Sequence, residues 1–135
     1  MTFLSRIWPK KWVATAIVVA TILYLTLVPK PLPDDISLEI PGLDKVVHAI
    51  MFGGLAFVAS LDLARRSKTF CPLSKMSLIA VASAATLFGG VVELLQQSMQ
   101  LGRGGDIIDF AADCIGAFVA VMIAKRILNH APMSS

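Results

Sequence analysis

Ionisable residues in this chain gather where apolar runs begin and end. Asp44, Lys45 and His48 open one run in "GLDKVVHAI" (42–50), and Glu93, Gln96 and Gln97 close the next in "ELLQQ". Arg103 and Asp106 precede a third run, and Asp109 and Asp113 lie inside it. Charges within apolar segments are costly, so each is a candidate functional group. His48 with Asp44 one helical turn before it has the spacing of an oriented general base, and Glu93 is a second candidate for proton transfer. Lys45 offers a point charge and Arg103 a planar fork, both suited to a phosphate or carboxylate. Asp106, Asp109 and Asp113 follow i, i+3, i+7 along one helical stripe. No GxSxG, HExxH or Walker A motif accompanies them, so no catalytic residue is assigned beyond the candidates His48 and Glu93.

A purely structural account competes residue by residue. Acids at helix starts favour the positive end of the macrodipole, and Asp44 and Asp106 read equally well as caps. Glu93, Asp109 and Asp113 lie too deep for capping. Counting charges, five acids (Asp44, Glu93, Asp106, Asp109, Asp113) face two permanent cations, Lys45 and Arg103, and one titratable His48. Either some carboxyls keep their protons or a cationic ligand joins them. No cofactor or metal is assigned. A hard cation such as Mg²⁺ or Ca²⁺ would take Glu93, Asp109 and Asp113, and a lone histidine argues against zinc.

The elements that position these groups are membrane helices. The chain has 135 residues, 56% hydrophobic and 16% charged, with a mean hydropathy of +0.77, which excludes an ordinary small soluble domain. We expect an all-α membrane protein in one unit (1–135), with four transmembrane helices at roughly 12–28, 46–64, 76–95 and 107–124. The first, "WVATAIVVATILYLTLV", ends at "PKPLP" and is read as an uncleaved helix, because no small-x-small cleavage site follows it. Nine of the twelve Lys and Arg fall on one side of this topology, so both termini are expected in the cytoplasm and the ionisable cluster on the outer face. The net charge of +3 is scattered and forms no basic helix face, so no nucleic-acid partner is expected. Cys71 and Cys114 are expected to be free. Gly53, Gly54, Gly89, Gly90 and Gly116 read as helix-packing positions. Trp8 and Trp12 read as interfacial anchors, and Asp62 as a local bridge to Arg65 or Arg66. The glycine-rich "LGRGGD" around Arg103 offers backbone donors to an anion.

The series "DKVVHAIMF", "ELLQQ", an arginine, then "DFAADCIGA" resembles the VanZ-like family of small bacterial membrane proteins, over about residues 42–120. The resemblance carries the family's polar signature onto Asp44, Lys45, His48, Glu93, Gln96 (or Gln97 in a shifted register), Arg103, Asp109 and Gly116. Two positions depart: the family commonly has asparagine where Asp113 stands and often tyrosine where Phe52 stands. Its founding member is associated with resistance to teicoplanin, a lipid-bearing glycopeptide. The resemblance therefore implies a multi-pass protein of the bacterial cytoplasmic membrane, meeting membrane lipids and a lipid-linked wall precursor or lipoglycopeptide at an extracytoplasmic polar pocket. In that pocket Lys45 and Arg103 would engage an anionic head group, and His48 and Glu93 would supply hydrogen bonds or a proton switch. Asp109 and Asp113 would position Arg103 or hold a cation. The rivals are a membrane-embedded enzyme acting on a lipid or lipid-linked precursor, and a passive helical subunit of a larger complex.

Overall fold

A computed structural model describes residues 7–28, 41–66, 69–99 and 107–130. Among these residues lie four helices, α1 (Val13–Leu27), α2 (Leu43–Ala64), α3 (Lys75–Ser98) and α4 (Ile107–His130). Two short strands, β1 (Arg65–Arg66) and β2 (Thr69–Phe70), pair antiparallel between α2 and α3.

Local chemistry sets the helix ends. Val28 leaves α1 in an extended conformation, as a residue preceding a proline must. Gly42 takes a φ of 81° before α2, a left-handed geometry that costs glycine little. Ser74 caps α3 by accepting from the Ser77 backbone N–H at 3.1 Å. These ends lengthen α2 back to Leu43, placing Asp44 and Lys45 in its first turn, and carry α3 to Ser98 and α4 to His130.

Three helices, α2, α3 and α4, with 22, 24 and 24 residues, are long and apolar enough to cross a membrane. α1 has only 15 residues and rises about 22 Å, short of a hydrocarbon core of about 30 Å. The expectation of four full-length spans is therefore corrected to three long apolar helices and one shorter one. The expected run had counted Trp12 and Val28, which adopt non-helical backbone at the two ends.

Small side chains lie inside the bundle and large apolar ones point out. Ala56, Ala82, Ala85, Ala117 and Ala124 are buried, whereas Ile50, Leu87, Leu94, Ile107 and Ile115 are each more than 60% exposed. That inversion suits helices whose surroundings are hydrocarbon, where close backbone approach supplies the packing. Closest is the parallel pair α2 and α4. A Cβ built on Gly116 would meet the Ala49 carbonyl carbon at 2.9 Å, and one on Gly53 would meet the Gly116 carbonyl oxygen at 3.0 Å. Gly54 has nothing within 4 Å of its Cβ position, so close packing does not account for it. Phe52, Val92 and Ile22 fill the centre.

α1 is held at both ends by side chains of other helices. Its N-cap residue, Trp12, has no side-chain oxygen and makes no capping bond. Asp62 of α2 takes that role, accepting from Thr15 N at 3.0 Å, Thr15 Oγ1 at 2.5 Å and the Trp8 indole Nε1 at 2.7 Å. Arg65 meanwhile donates to the Trp8 and Pro9 carbonyls. The expected local bridge from Asp62 to the arginines is thus replaced by a long-range cap, because Asp62 is fully buried against α1. At the other end, Gln96 of α3 donates from Nε2 to the Thr26 carbonyl at 2.9 Å, satisfying an acceptor in the last turn of α1. Trp8 and Trp12 also part company. Trp8 packs edge-on to Phe70 and binds Asp62, and Trp12 is exposed beside Lys11.

Candidate functional site

The α2 and α4 starts and the α3 end lie at one end of the bundle. There Lys45 and His48 of α2, Glu93 of α3, and Asp109 and Asp113 of α4 come together. Lys45 Nζ lies 3.2 Å from Asp109 Oδ1. Four residues deeper, His48 Nδ1 lies 3.2 Å from Asp113 Oδ1 and 3.5 Å from Glu93 Oε1. The parallel register of α2 and α4 makes this ladder, since a step of three or four residues on each helix returns to the same face. His48, Glu93, Asp109 and Asp113 are all buried, whereas Lys45 is partly exposed.

The His48 ring stacks on Phe52, one turn further along α2, at a centroid separation of 6.0 Å, and Phe52 in turn touches Phe88. Among the described residues this apolar floor gives the imidazole no polar partner below, so its orientation depends on Asp113 and Glu93. Asp113 Oδ2 faces the Gly89 backbone on α3, where a Cβ would come within 2.6 Å of it. Gly89→Ala therefore displaces the Asp113 carboxylate while leaving the α2 and α4 crossing intact. The expected outcome is a folded protein in which the Nδ1 proton of His48 loses its hydrogen-bonded signature, checked by ¹⁵N NMR of labelled histidine.

The residues singled out from sequence divide clearly. Lys45, His48, Glu93, Asp109 and Asp113 form the cluster. Asp44 does not orient His48: its side chain is 62% exposed and its contact is Lys45, at 3.5 Å. Helical spacing placed Asp44 near the same stripe, but the rotation of α2 turns His48 inward and leaves Asp44 outside. Gln96 turns away to Thr26, and Gln97 is exposed on the neighbouring surface. Arg103 and Asp106 lie outside the described residues. Sequence reasoning missed Gly89 as the seat of the Asp113 carboxylate, although the Gly89-Gly90 pair marked a close approach.

Beside the cluster runs a groove of about 450 Å³ between α3 and α4, lined by Leu87, Gly90, Val91, Glu93, Leu94, Gln97, Ile107 and Phe110. Six of these eight residues are apolar or glycine. Glu93 belongs to both groove and cluster, so an apolar trough leads directly to an ionisable group. Phe110 closes over Gly90, where a Cβ would meet its ring at 3.2 Å.

Three long apolar helices around a buried charged cluster define a helical membrane protein. The sequence model of the VanZ/LLP1 family matches residues 2–129, and the chain belongs to that family. The match extends on both sides of the 42–120 stretch that carries the resemblance and takes in α1. No curated protein and no solved structure matches the chain.

Proposed function

We propose that this chain is a multi-pass protein of the bacterial cytoplasmic membrane that binds the polar head of an amphiphile at an extracytoplasmic cluster. In this role it contributes to teicoplanin-type glycopeptide resistance or to envelope maintenance. The observation that carries the reading is Glu93, shared by the buried cluster and the apolar groove. An acyl chain lying along Leu87, Val91 and Leu94 brings its head group to Glu93, His48 and the Lys45–Asp109 pair. Lys45 and Arg103 supply positive charge for an anionic head. The excess of Lys and Arg in the connection after α2, with Lys125 and Arg126 in the last turns of α4, supports the orientation, with the cluster outward and both termini in the cytoplasm.

The His48 and Asp113 contact favours a second reading, a membrane-embedded enzyme in which Asp113 orients His48 as acid or base toward a lipid-linked substrate. Turnover of a lipid-linked precursor by the purified protein distinguishes it from binding alone.

The test compares growth of a susceptible bacterium expressing wild type or Glu93→Gln at matched membrane abundance. It is exposed to teicoplanin and to a glycopeptide without an acyl chain. Wild type is expected to protect against teicoplanin only, and Glu93→Gln to remove that protection. Equal protection by the variant would sink the reading.

A further inference from the structure

We infer that His48, Glu93 and Asp113 form a binding site for one divalent transition-metal cation, with His48 Nδ1, Glu93 Oε1 and Asp113 Oδ1 as protein ligands. One potential ligand atom from each residue lies within 4.8 Å of the others, and the two pairs through the imidazole measure 3.2 and 3.5 Å. Oxygen and nitrogen ligands held about 2.1 Å from one ion stand roughly 3.0 to 3.5 Å apart at octahedral or tetrahedral angles. The spacing therefore suits a shared ion after only small side-chain movement.

A further feature favours a cation there. Asp113 Oδ2 is buried and has no hydrogen-bond partner among the described residues, so half of a fully buried carboxylate is unsatisfied by the protein. Gly89 lets that carboxylate sit against the α3 backbone, since a Cβ there would come within 2.6 Å of Oδ2. Asp109 is engaged by Lys45 at 3.2 Å, which separates it from the triad.

The donor set narrows the metal. An imidazole nitrogen beside two carboxylate oxygens suits Mn²⁺, Fe²⁺, Co²⁺ or Zn²⁺ better than Ca²⁺, which prefers an all-oxygen shell. This differs from the hard-cation set considered from sequence, because His48 enters it and Asp109 leaves. Three protein ligands on three helices leave coordination positions for water or for a head-group oxygen. Binding replaces the proton between His48 Nδ1 and Asp113 Oδ1, which is released to solvent. The site stands independently of the amphiphile reading, since it rests on the triad alone.

The full chain, purified in detergent and stripped with chelator, is titrated with Mn²⁺ and examined by pulsed EPR. We expect saturation at one ion per chain, with a ¹⁴N coupling from a directly bound imidazole. Affinity should fall about 100-fold or more in His48→Gln and in Asp113→Asn. Wild-type protein that saturates without ¹⁴N coupling, that binds no Mn²⁺, or that binds no more tightly than folded variants overturns the site. Because the nitrogen coupling is read on wild type, the test holds even if a variant fails to fold. Drug protection without metal binding would remove this inference and leave the amphiphile reading in place.

Discussion

Gly116→Leu is expected to abolish recovery of folded protein. A Cβ at Gly116 falls inside contact distance of the Ala49 carbonyl oxygen and within 2.9 Å of the Ala49 carbonyl carbon and Cα. These are backbone atoms in the middle of a helix and cannot swing aside. Accommodation therefore requires α2 and α4 to separate along their most extensive contact, which also pulls His48 from Asp113. Overpacking commonly costs about 1–3 kcal/mol and occasionally more, and leucine at a backbone-to-backbone crossing belongs at the upper end. Size-exclusion chromatography of detergent extracts is the check, with the variant expected as aggregate and Gly116→Ala as an intermediate case. Gly54→Ala is the contrast. Its Cβ meets nothing within 4 Å, and alanine favours the helix, so stability should hold or rise by up to about 1 kcal/mol.

Asp62→Ala should produce the second large loss. It removes the acceptor for three donors at once: the Trp8 indole N–H, the Thr15 backbone N–H and the Thr15 hydroxyl. A buried donor left without a partner costs about 1–3 kcal/mol, and these three are part-buried, so with water reaching some of them the total is about 2–4 kcal/mol. Asp62→Asn keeps one acceptor oxygen and turns an amide N–H₂ toward either Trp8 or Thr15, so its loss should be smaller. In a Trp8→Phe background the Asn substitution should cost less again, because the opposing indole donor is gone. Thermal unfolding in detergent across this cycle checks the coupling, and additive losses would show that Asp62 and Trp8 act independently.

The fold was legible where solvent chemistry dominates. Apolar runs of spanning length and the prolines after Val28 marked the helices because each acts locally. Lys45, His48, Glu93, Asp109 and Asp113 stood out because ionisable groups are rare in such segments. Their pairing was not legible. Spacing offered Asp44 as the partner of His48, whereas the structure gives Asp113, and the difference depends on the rotation of α2 against α4, set at Ala49, Gly53 and Gly116 rather than by the charged residues. Asp62 and Gln96 were misplaced for a related reason. Nearby arginines and a family signature pointed to local or site roles, whereas both residues serve the ends of a helix 47 and 70 residues away.

That arrangement bears on the order in which the chain matures during synthesis. α1 is made first, yet the side chains that complete its ends come later: Asp62 arrives with the end of α2, and Gln96 only with the last turn of α3. Until then the hydrogen-bonding groups at its ends must be served by water or lipid head groups. Of the four described helices, α1 is thus made before the others yet completed by them, and its last partner, Gln96, follows Glu93 of the cluster by three residues.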